Sequence, residues 1–388
     1  MRAVGRVTVT THAAREQRVR LPETAAVLAL RHAVRAWLGR YLPGSAAVAV
    51  ALSGGADSLA LTGAALAEAE AVDALIVDHR LQEGSDEVAA AAAATALALG
   101  CRSARVLPVR VGGSGGMEAA ARRARYAALD EARDGLPVLL GHTLDDQAET
   151  VLLGLAQGSG ARSVQGMAPY NAPWGRPLLD IRRETTRRFC ADLGLAPYED
   201  PHNSSPEFTR VRLRTEVLPL LEDVLGGRAA VALARTAQQL REDNAVLDTF
   251  AADLLQAAGA SRPWPYPSAN DAAPDDPTRP PAVSSGGVGA AVTDSAAADG
   301  SLSCASLAAA PAALRRRAIR SWLLAGGAKA VTSKHIHAID DLVVDWRGQG
   351  AVAVGGGDPG TRLVAARERG RLTLARAGRD DGDRRDTG

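Results

Sequence analysis

The chain is short of the features that would tie it to a membrane, a disulfide frame or a metal cluster. It has three cysteines in 388 residues, and Cys101, Cys190 and Cys304 lie far apart with no CxxC pair. That usage argues for a reducing compartment and against a disulfide framework, a zinc site or an iron–sulfur cluster. No apolar run reaches membrane-spanning length, so a soluble, cytoplasmic protein with no membrane partner is expected. Charge of one sign is missing too. The net charge is +1, and any nucleic-acid surface must therefore come from local arginine clusters. The basic residues are almost all Arg and the apolar ones lean on Ala, a GC-rich composition that carries no chemistry. The length suits two domains, three at most.

What is present is concentrated in Ala46–Leu61, AAVAVALSGGADSLAL. Ala46–Leu52 reads as a buried strand, and Leu59 onward resumes at helical spacing. Between them, Ser53-Gly54-Gly55-Ala56-Asp57-Ser58 forms a glycine turn. The two glycines let backbone approach an anion with no Cβ in the way. The helix that follows aims its free N–H groups and positive dipole end at the same place. A Walker A lysine is absent, and Asp57 stands at the helix mouth instead. An acid there repels phosphate unless a cation intervenes, which points to Mg²⁺. The bland reading is an ordinary strand-to-helix turn capped by Ser53 or Asp57. SGGxDS resembles the signature of ATP pyrophosphatases, which cleave ATP between its α- and β-phosphates.

Met1–Leu21 has no clear period and reads as a disordered leader, or a start placed too early, rather than a transit peptide. Pro22-Glu23 opens an amphipathic helix to about Tyr41, with Val27, Leu30, Val34, Trp37 and Leu38 on one face. Beyond the glycine turn, a helix to about Ala71 precedes a strand at Ala74–Val77. A helix over Ser85–Leu99, a strand near Arg105–Val111, a helix over Glu118–Arg133 and a strand at Pro137–Leu140 follow. This alternation predicts an α/β fold, a parallel sheet with helices on both faces. Ligands bind such sheets beyond the carboxyl ends of the strands, where Ser53–Ser58, Asp78-His79 and His142–Glu149 are expected. In GHTLDDQAET, Thr143 or Asp145 suits a helix cap. Asp146 and Glu149 share one face of the first turn and suit metal binding or the orientation of a cationic nucleophile. Asp145 reads as a dipole complement, and His142 as either a strand-end residue or a site residue.

GHTLDDQAETVLLGLAQGSG, after SGGADS and VDHRLQ, resembles the tRNA(Ile)-lysidine synthases, members of the pyrophosphate-loop ATPase family. EAAARRARY (Glu118–Tyr126), Arg176-Pro177-Leu178-Leu179, and Glu199-Asp200-Pro201-His202-Asn203 leading to FTRVRLR (Phe208–Arg214) resemble that family's later blocks. The likeness is dense over 46–221 and sparser to about 377. Two positions depart from the pattern: Gly116 stands where an Asn is usual, and Gln82 where an Arg is. The resemblance implies a Rossmann-like sheet of pyrophosphate-loop type, then a mainly helical region and a small C-terminal α+β module. It implies a ligase using ATP and Mg²⁺ to adenylate the wobble cytidine of CAU-anticodon isoleucine tRNA. Free L-lysine then displaces AMP at C2. Ser53, Gly54, Gly55, Ala56, Asp57 and Ser58 would hold ATP, with Asp57 and Asp146 on the metal. Asp57, Arg122, Asp146 and Glu149 would form the catalytic set, Arg122 near the adenylate or the pyrimidine. Arg210, Arg212 and Arg214 would contact tRNA phosphates. A homodimer is compatible with this reading. The alternatives are tRNA thiolation, for which the cysteines are poorly placed, and a non-catalytic nucleotide sensor.

The expected layout is a leader over 1–21, a catalytic domain over 22–221 and a helical region over 222–260. A disordered Pro/Ala/Gly/Ser insertion over 261–303 follows, then a tRNA-binding module over 304–377 and a charged tail over 378–388. Trp264 and Tyr266 are expected to pack back on the preceding helix. Arg182, Arg183, Arg187 and Arg188 read as a solvated helix face. Arg315, Arg316, Arg317 and Arg320 read as a basic face, either a tRNA grip or plain surface. His335 and His337 read as surface residues. Val352–Val354 and Leu372–Leu374 are expected to pair as strands.

Overall fold

The computed structural model describes residues 21–44, 47–80, 84–112, 116–158, 160–200, 205, 207–262, 300–356 and 361–378. The leader (1–20), Gln82, Pro201-His202-Asn203, most of the insertion with Trp264 and Tyr266, and the tail from 379 lie outside the described residues. The chain divides into two compact units, Met1–Arg241 and Glu242–Gly388.

The first unit opens with α1 (Ala25–Tyr41), whose N-cap is Thr24: its hydroxyl accepts the Val27 N–H at 3.2 Å and donates to Asp192 Oδ2 at 2.6 Å. Then come β1 (Ala47–Ala51), α2 (Ala56–Glu68), β2 (Ala71–Asp78), α3 (Ser85–Leu99), β3 (Ser103–Pro108), α4 (Met117–Ala132), β4 (Val138–Leu140), α5 (Leu144–Ala156) and α6 (Ala161–Val164). The unit continues through β5 (Tyr170–Asn171), β6 (Trp174–Gly175), α7 (Arg183–Asp192), α8 (Thr209–Arg212) and α9 (Leu218–Leu225), with one π-helical turn (Leu213–Val217) between the last two. The following helix, α10 (Ala229–Gly259), runs past the boundary between units.

The strands order β3-β2-β1-β4-β6-β5. All adjacent pairs are parallel except β5 against β6. Alternate residues serve opposite faces, as strand geometry requires. Val48, Val50, Leu52, Val72, Ala74 and Ile76 pack with Leu30 of α1, Leu61 of α2, Ala92 of α3 and Phe189 of α7. Ala49, Leu75, Val138 and Leu140 pack with Leu129 of α4. The expected parallel sheet covered on both faces is therefore present. One boundary differs: the helix after the glycine turn stops at Glu68 rather than Ala71, and β2 starts three residues earlier than its apolar run. Alanines give no periodic signal there. Pairing of Ala71 with Ala47, and of buried Asp73 with Arg102 and Ser103, decides it.

The second unit comprises β7 (Leu302–Ser303), α11 (Cys304–Ala308), α12 (Ala312–Ala325), α13 (Ser333–Val344), β8 (Val352–Val354), β9 (Thr361–Glu368) and β10 (Arg371–Gly378). Its antiparallel sheet orders β7-β10-β9-β8. Val352–Val354 and Leu372–Leu374 do not pair with each other, because β9 lies between them: Val352 opposes Ala365 and Leu372 opposes Arg367. The core gathers Leu254 of α10 with Leu307, Ile319, Leu323, Ile339, Leu342 and Leu372. His335 joins Thr332 in capping α13, and His337 is exposed. Among the described residues no helix is long and apolar enough to cross a membrane.

The arginines of α12 do not form an outward basic face. Arg315 and Arg316 both bind the buried Asp340 carboxylate, Arg317 binds Asp248 and Asn244, and Arg320 reaches the Val331 carbonyl. Helical spacing explains it, since Arg315 falls on the face of Ile319 and Trp322. Asp340 is 1% exposed. Replacing it with Ala strands a buried guanidinium, an effect worth about 3–5 kcal/mol. Urea unfolding of Asp340→Ala should show that loss, and adding Arg315→Met should recover much of it. Equal stability of the single and double variants would contradict the pairing account.

Candidate active site

The turn after β1 is built as an anion cradle. Gly54 has φ +84°, a left-handed conformation that strains other residues. The Ser58 hydroxyl ties the turn by donating to the Gly55 carbonyl at 2.9 Å and accepting the Ser53 N–H at 3.2 Å. The Tyr198 N–H closes it from outside on the Gly54 carbonyl at 3.0 Å. Gly55 is the N-cap of α2, and no side chain caps that helix. The bland reading, a turn capped by Ser53 or Asp57, therefore fails, and the first-turn N–H groups of α2 face outward with the dipole uncompensated by a cap. Gly141, at the exit of β4, lies against this turn. A Cβ there would sit 3.0–3.1 Å from Asp57 and Ser58 backbone atoms, so only glycine lets the two loops meet this closely.

At that junction four carboxylates meet three guanidiniums. Asp146 completes the capping box of α5: its Oδ2 accepts the Thr143 N–H at 2.8 Å and the Thr143 hydroxyl at 2.7 Å. Its Oδ1 lies 2.5 Å from Arg183 Nη2. Arg183 also lies 3.4 Å from Asp57 Oδ2 and 3.4 Å from Glu149 Oε1. Glu149 is 1% exposed and takes Arg214 through both carboxylate oxygens, at 2.9 and 3.3 Å. The Thr186 hydroxyl donates to Asp57 Oδ1. Asp145 accepts the Arg183 N–H at 2.7 Å and pairs with Arg182 at 3.2 Å.

Thr143, one of the two residues expected to cap α5, is its N-cap, and Asp145 lies in the first turn while also accepting the Arg183 N–H at the start of α7. One expectation is corrected here. Arg182 and Arg183 do not belong to a solvated face: both hold acids of the site, while Arg187 is exposed and Arg188 pairs with Asp192 on its own helix. Sequence reasoning placed Arg183 on a solvated face and so missed its contacts with the acids. A signal was available, since an arginine at a helix N-terminus opposes the dipole and needs nearby acids to stay there.

The remaining expected residues divide. Ser53–Ser58, Asp57, Asp146 and Glu149 come together. Arg214 joins them through the π-helical turn, Arg212 pairs with Glu216, which lies in that turn, and Arg210 is partly buried. Thr209–Arg214 is helical, so the three arginines share no single face. Arg122 lies on α4 with its guanidinium 5.1 Å over the Tyr126 ring.

Electrostatics mark the cluster as short of positive charge. Burial pushes the Asp57 carboxyl up, and the neighbouring Asp146 adds to this against the pull of Thr186 and Arg183. Asp146 itself is held low: burial opposes ionisation, but Arg183 and the Thr143 donors outweigh it. Among the described residues no three acidic, His or Cys side chains form a ready cage for a metal. Asp57 and Asp146 do offer the pair of carboxylates that Mg²⁺ uses together with phosphate oxygens. The cysteines are unsuited to thiolate chemistry, since burial pushes Cys101 up to about 12 and Cys190 to about 11.

Comparison with known proteins agrees with the geometry. A PP-loop domain profile matches residues 29–221, and a TilS substrate binding domain profile matches 302–373. The tRNA(Ile)-lysidine synthase of Nocardia farcinica is 67% identical over 90% of this chain and 98% of its own length. That of Rhodococcus erythropolis is 60% identical over 91% of this chain and 97% of its own. That of Mycobacterium bovis is 53% identical over 91% and 98%.

If Arg183 is what lets the acids coexist, Arg183→Met should destabilise the protein by roughly 3 kcal/mol near pH 8. Without the guanidinium, burial and mutual repulsion would hold Asp57 and Asp146 above their unfolded-state pKa values. Carboxylates shifted that way bind protons on folding, so the variant regains stability as pH falls toward 5. Urea unfolding at both pH values should show the deficit shrinking. The same deficit at both would rule out a charge-based role.

Proposed function

The chain belongs to the tRNA(Ile)-lysidine synthase family, and on that premise we propose how its residues divide the work of making lysidine on isoleucine tRNA from ATP. The substrates are ATP, free L-lysine and a CAU-anticodon isoleucine tRNA. In the first step cytidine O2 attacks the α-phosphorus of ATP, the bond to the bridging oxygen breaks and pyrophosphate leaves. In the second the lysine ε-amine attacks C2, the C2–O bond breaks, AMP leaves and the amine gives up a proton.

The observation that carries this reading is the excess of carboxylate over guanidinium beside an uncapped helix N-terminus. The backbone of Gly54–Ser58 binds the triphosphate tail, with the α2 dipole favouring its charge. Asp57 and Asp146 would hold Mg²⁺, which would supply neutralisation of phosphate charge. Glu149 is fixed by Arg214 and Arg183, so its carboxylate is pre-oriented to attract the lysine ammonium and accept its proton. Arg122, on the same rim, lies within reach of the nucleotide or the pyrimidine. Arg210 and Arg212 engage RNA phosphates.

The roles separate by step. With ATP, radiolabelled lysine and CAU-anticodon isoleucine tRNA, the wild-type protein should place label on the RNA, and Asp57→Ala should abolish it. Glu149→Gln should keep tRNA-dependent ATP–pyrophosphate exchange while lysine transfer falls by about 10²-fold or more, the usual scale for a lost general base. Undiminished transfer by Glu149→Gln would remove Glu149 from the second step, and undiminished labelling by Asp57→Ala would remove Asp57 from the first.

A further inference from the structure

The tryptophans of the chain are not used alike. Trp37 and Trp322 are buried, and their indole N–H groups donate to the Pro169 and Gly300 carbonyls at 2.9 and 2.8 Å. Trp174 packs edge-on against Tyr126. Trp346, just past the end of α13, is 41% exposed. A single exposed aromatic is common on protein surfaces and by itself needs no explanation. The mount beneath this one does.

The loop that carries Trp346 is fastened at several points. Asp345, the C-cap of α13, donates its N–H to the Asp341 carbonyl at 3.0 Å. Gln349 folds back on the loop: its amide donates to the Asp345 carbonyl at 2.9 Å, and its oxygen accepts the Arg347 N–H at 2.5 Å. The Asp345 carboxylate holds the Arg347 guanidinium at 2.8 and 3.0 Å. Gly348, at φ +84°, makes the turn that this closure needs. From the sheet, Arg367 of β9 donates to the Leu342 and Val343 carbonyls at 2.9 and 3.2 Å, groups that the helix end leaves without intrahelical partners. Its guanidinium lies 5.5 Å over the Trp346 ring, a cation–π contact that fixes the orientation of the indole. The ring is thus held in place, backed by charge, with much of its surface left in water.

We propose that this loop is a stacking platform for an unpaired base of the RNA substrate. That the partner is the tRNA rests on the function proposed above. Every base has a π-face, so a rigid, exposed indole accepts one without reading its sequence. The surroundings favour RNA over a protein. Protein–protein interfaces gather apolar side chains at their core, yet Trp346 is followed by Arg347, Gly348 and Gln349 and preceded by Asp345, and Val344 is its one large exposed apolar neighbour in sequence. The β9–β10 hairpin that supplies Arg367 carries five arginines against one acid, Glu368. Arg369, on the hairpin turn two positions beyond Arg367, is exposed and suits a phosphate next to the stacked base.

Trp346→Ala and Trp346→Phe in the full-length protein test it. The side chain is exposed, so both variants should melt with the wild type. Affinity for a CAU-anticodon isoleucine tRNA should fall about tenfold or more in Trp346→Ala, the scale of a lost base–aromatic stack, and Trp346→Phe should recover most of it. Stacking neutralises no phosphate, so the slope of log affinity against log salt should stay that of the wild type. Unchanged affinity in Trp346→Ala, a loss that Trp346→Phe does not relieve, or a reduced salt slope overturns the proposal. A change of oligomeric state in sedimentation also overturns it, since the loop would then be a contact between copies of the chain. Lysine incorporation by the wild-type protein, assayed in parallel on the same tRNA, reads out the function itself. No label there removes the function, whereas label together with full tRNA affinity in Trp346→Ala removes only the platform.

Discussion

Arg183 stands within 3.4 Å of Asp57, Asp146 and Glu149 while its own backbone N–H binds Asp145. Those acids come from two separate strand exits, and like charges crowded at low dielectric repel strongly. One guanidinium shared among them lets the turn after β1 and the start of α5 approach each other, and Gly141 removes the side chain that would keep them apart. Burial opposes the charge on Arg183, but the acids outweigh it and raise its pKa. The geometry of the site is thus set less by any single loop than by a charge that α7 supplies to both.

The fold was legible because its strands are short apolar runs broken by glycine, and parallel pairing leaves few arrangements. The glycine turn was legible for the same reason: Gly54 and the uncapped N-terminus of α2 are local facts. Partners distant in sequence were not. Arg183 lies 126 positions from Asp57 and Arg214 lies 65 from Glu149; the place of Arg183 at a helix N-terminus hints at nearby acids but not at which ones, and nothing local marks Arg214. The π-helical turn at Leu213–Val217 shifts the register of side chains by one position per turn, so spacing alone misreads where Arg214 points. Asp146 carries a second use that its spacing did not suggest. Its expected role was chemical, and the structure gives one of its oxygens an ordinary structural use while leaving the other in the site.

The reaction asks for both signs of charge within one small space. A nucleotide and its leaving group bring negative charge, and the attacking nucleophile arrives as an ammonium ion. Acids gathered around Arg183 suit the cation, and the arginines around Tyr126, Arg122 and Arg125, suit an anion. Mixing the two sets would neutralise both, since Arg183 and Arg214 already pair with Glu149 and a further guanidinium there would fill the place an ammonium must take. His142 lies where the fields meet: Asp146 acts on it from one direction and Arg122, Arg125 and Arg176 from the other. Kept neutral by burial, its imidazole adds no charge to either set. A charged residue at that position would favour one set at the other's expense, and a large apolar one would remove the polar edge that both adjoin. The separation therefore rests on a buried neutral side chain as much as on the charges around it.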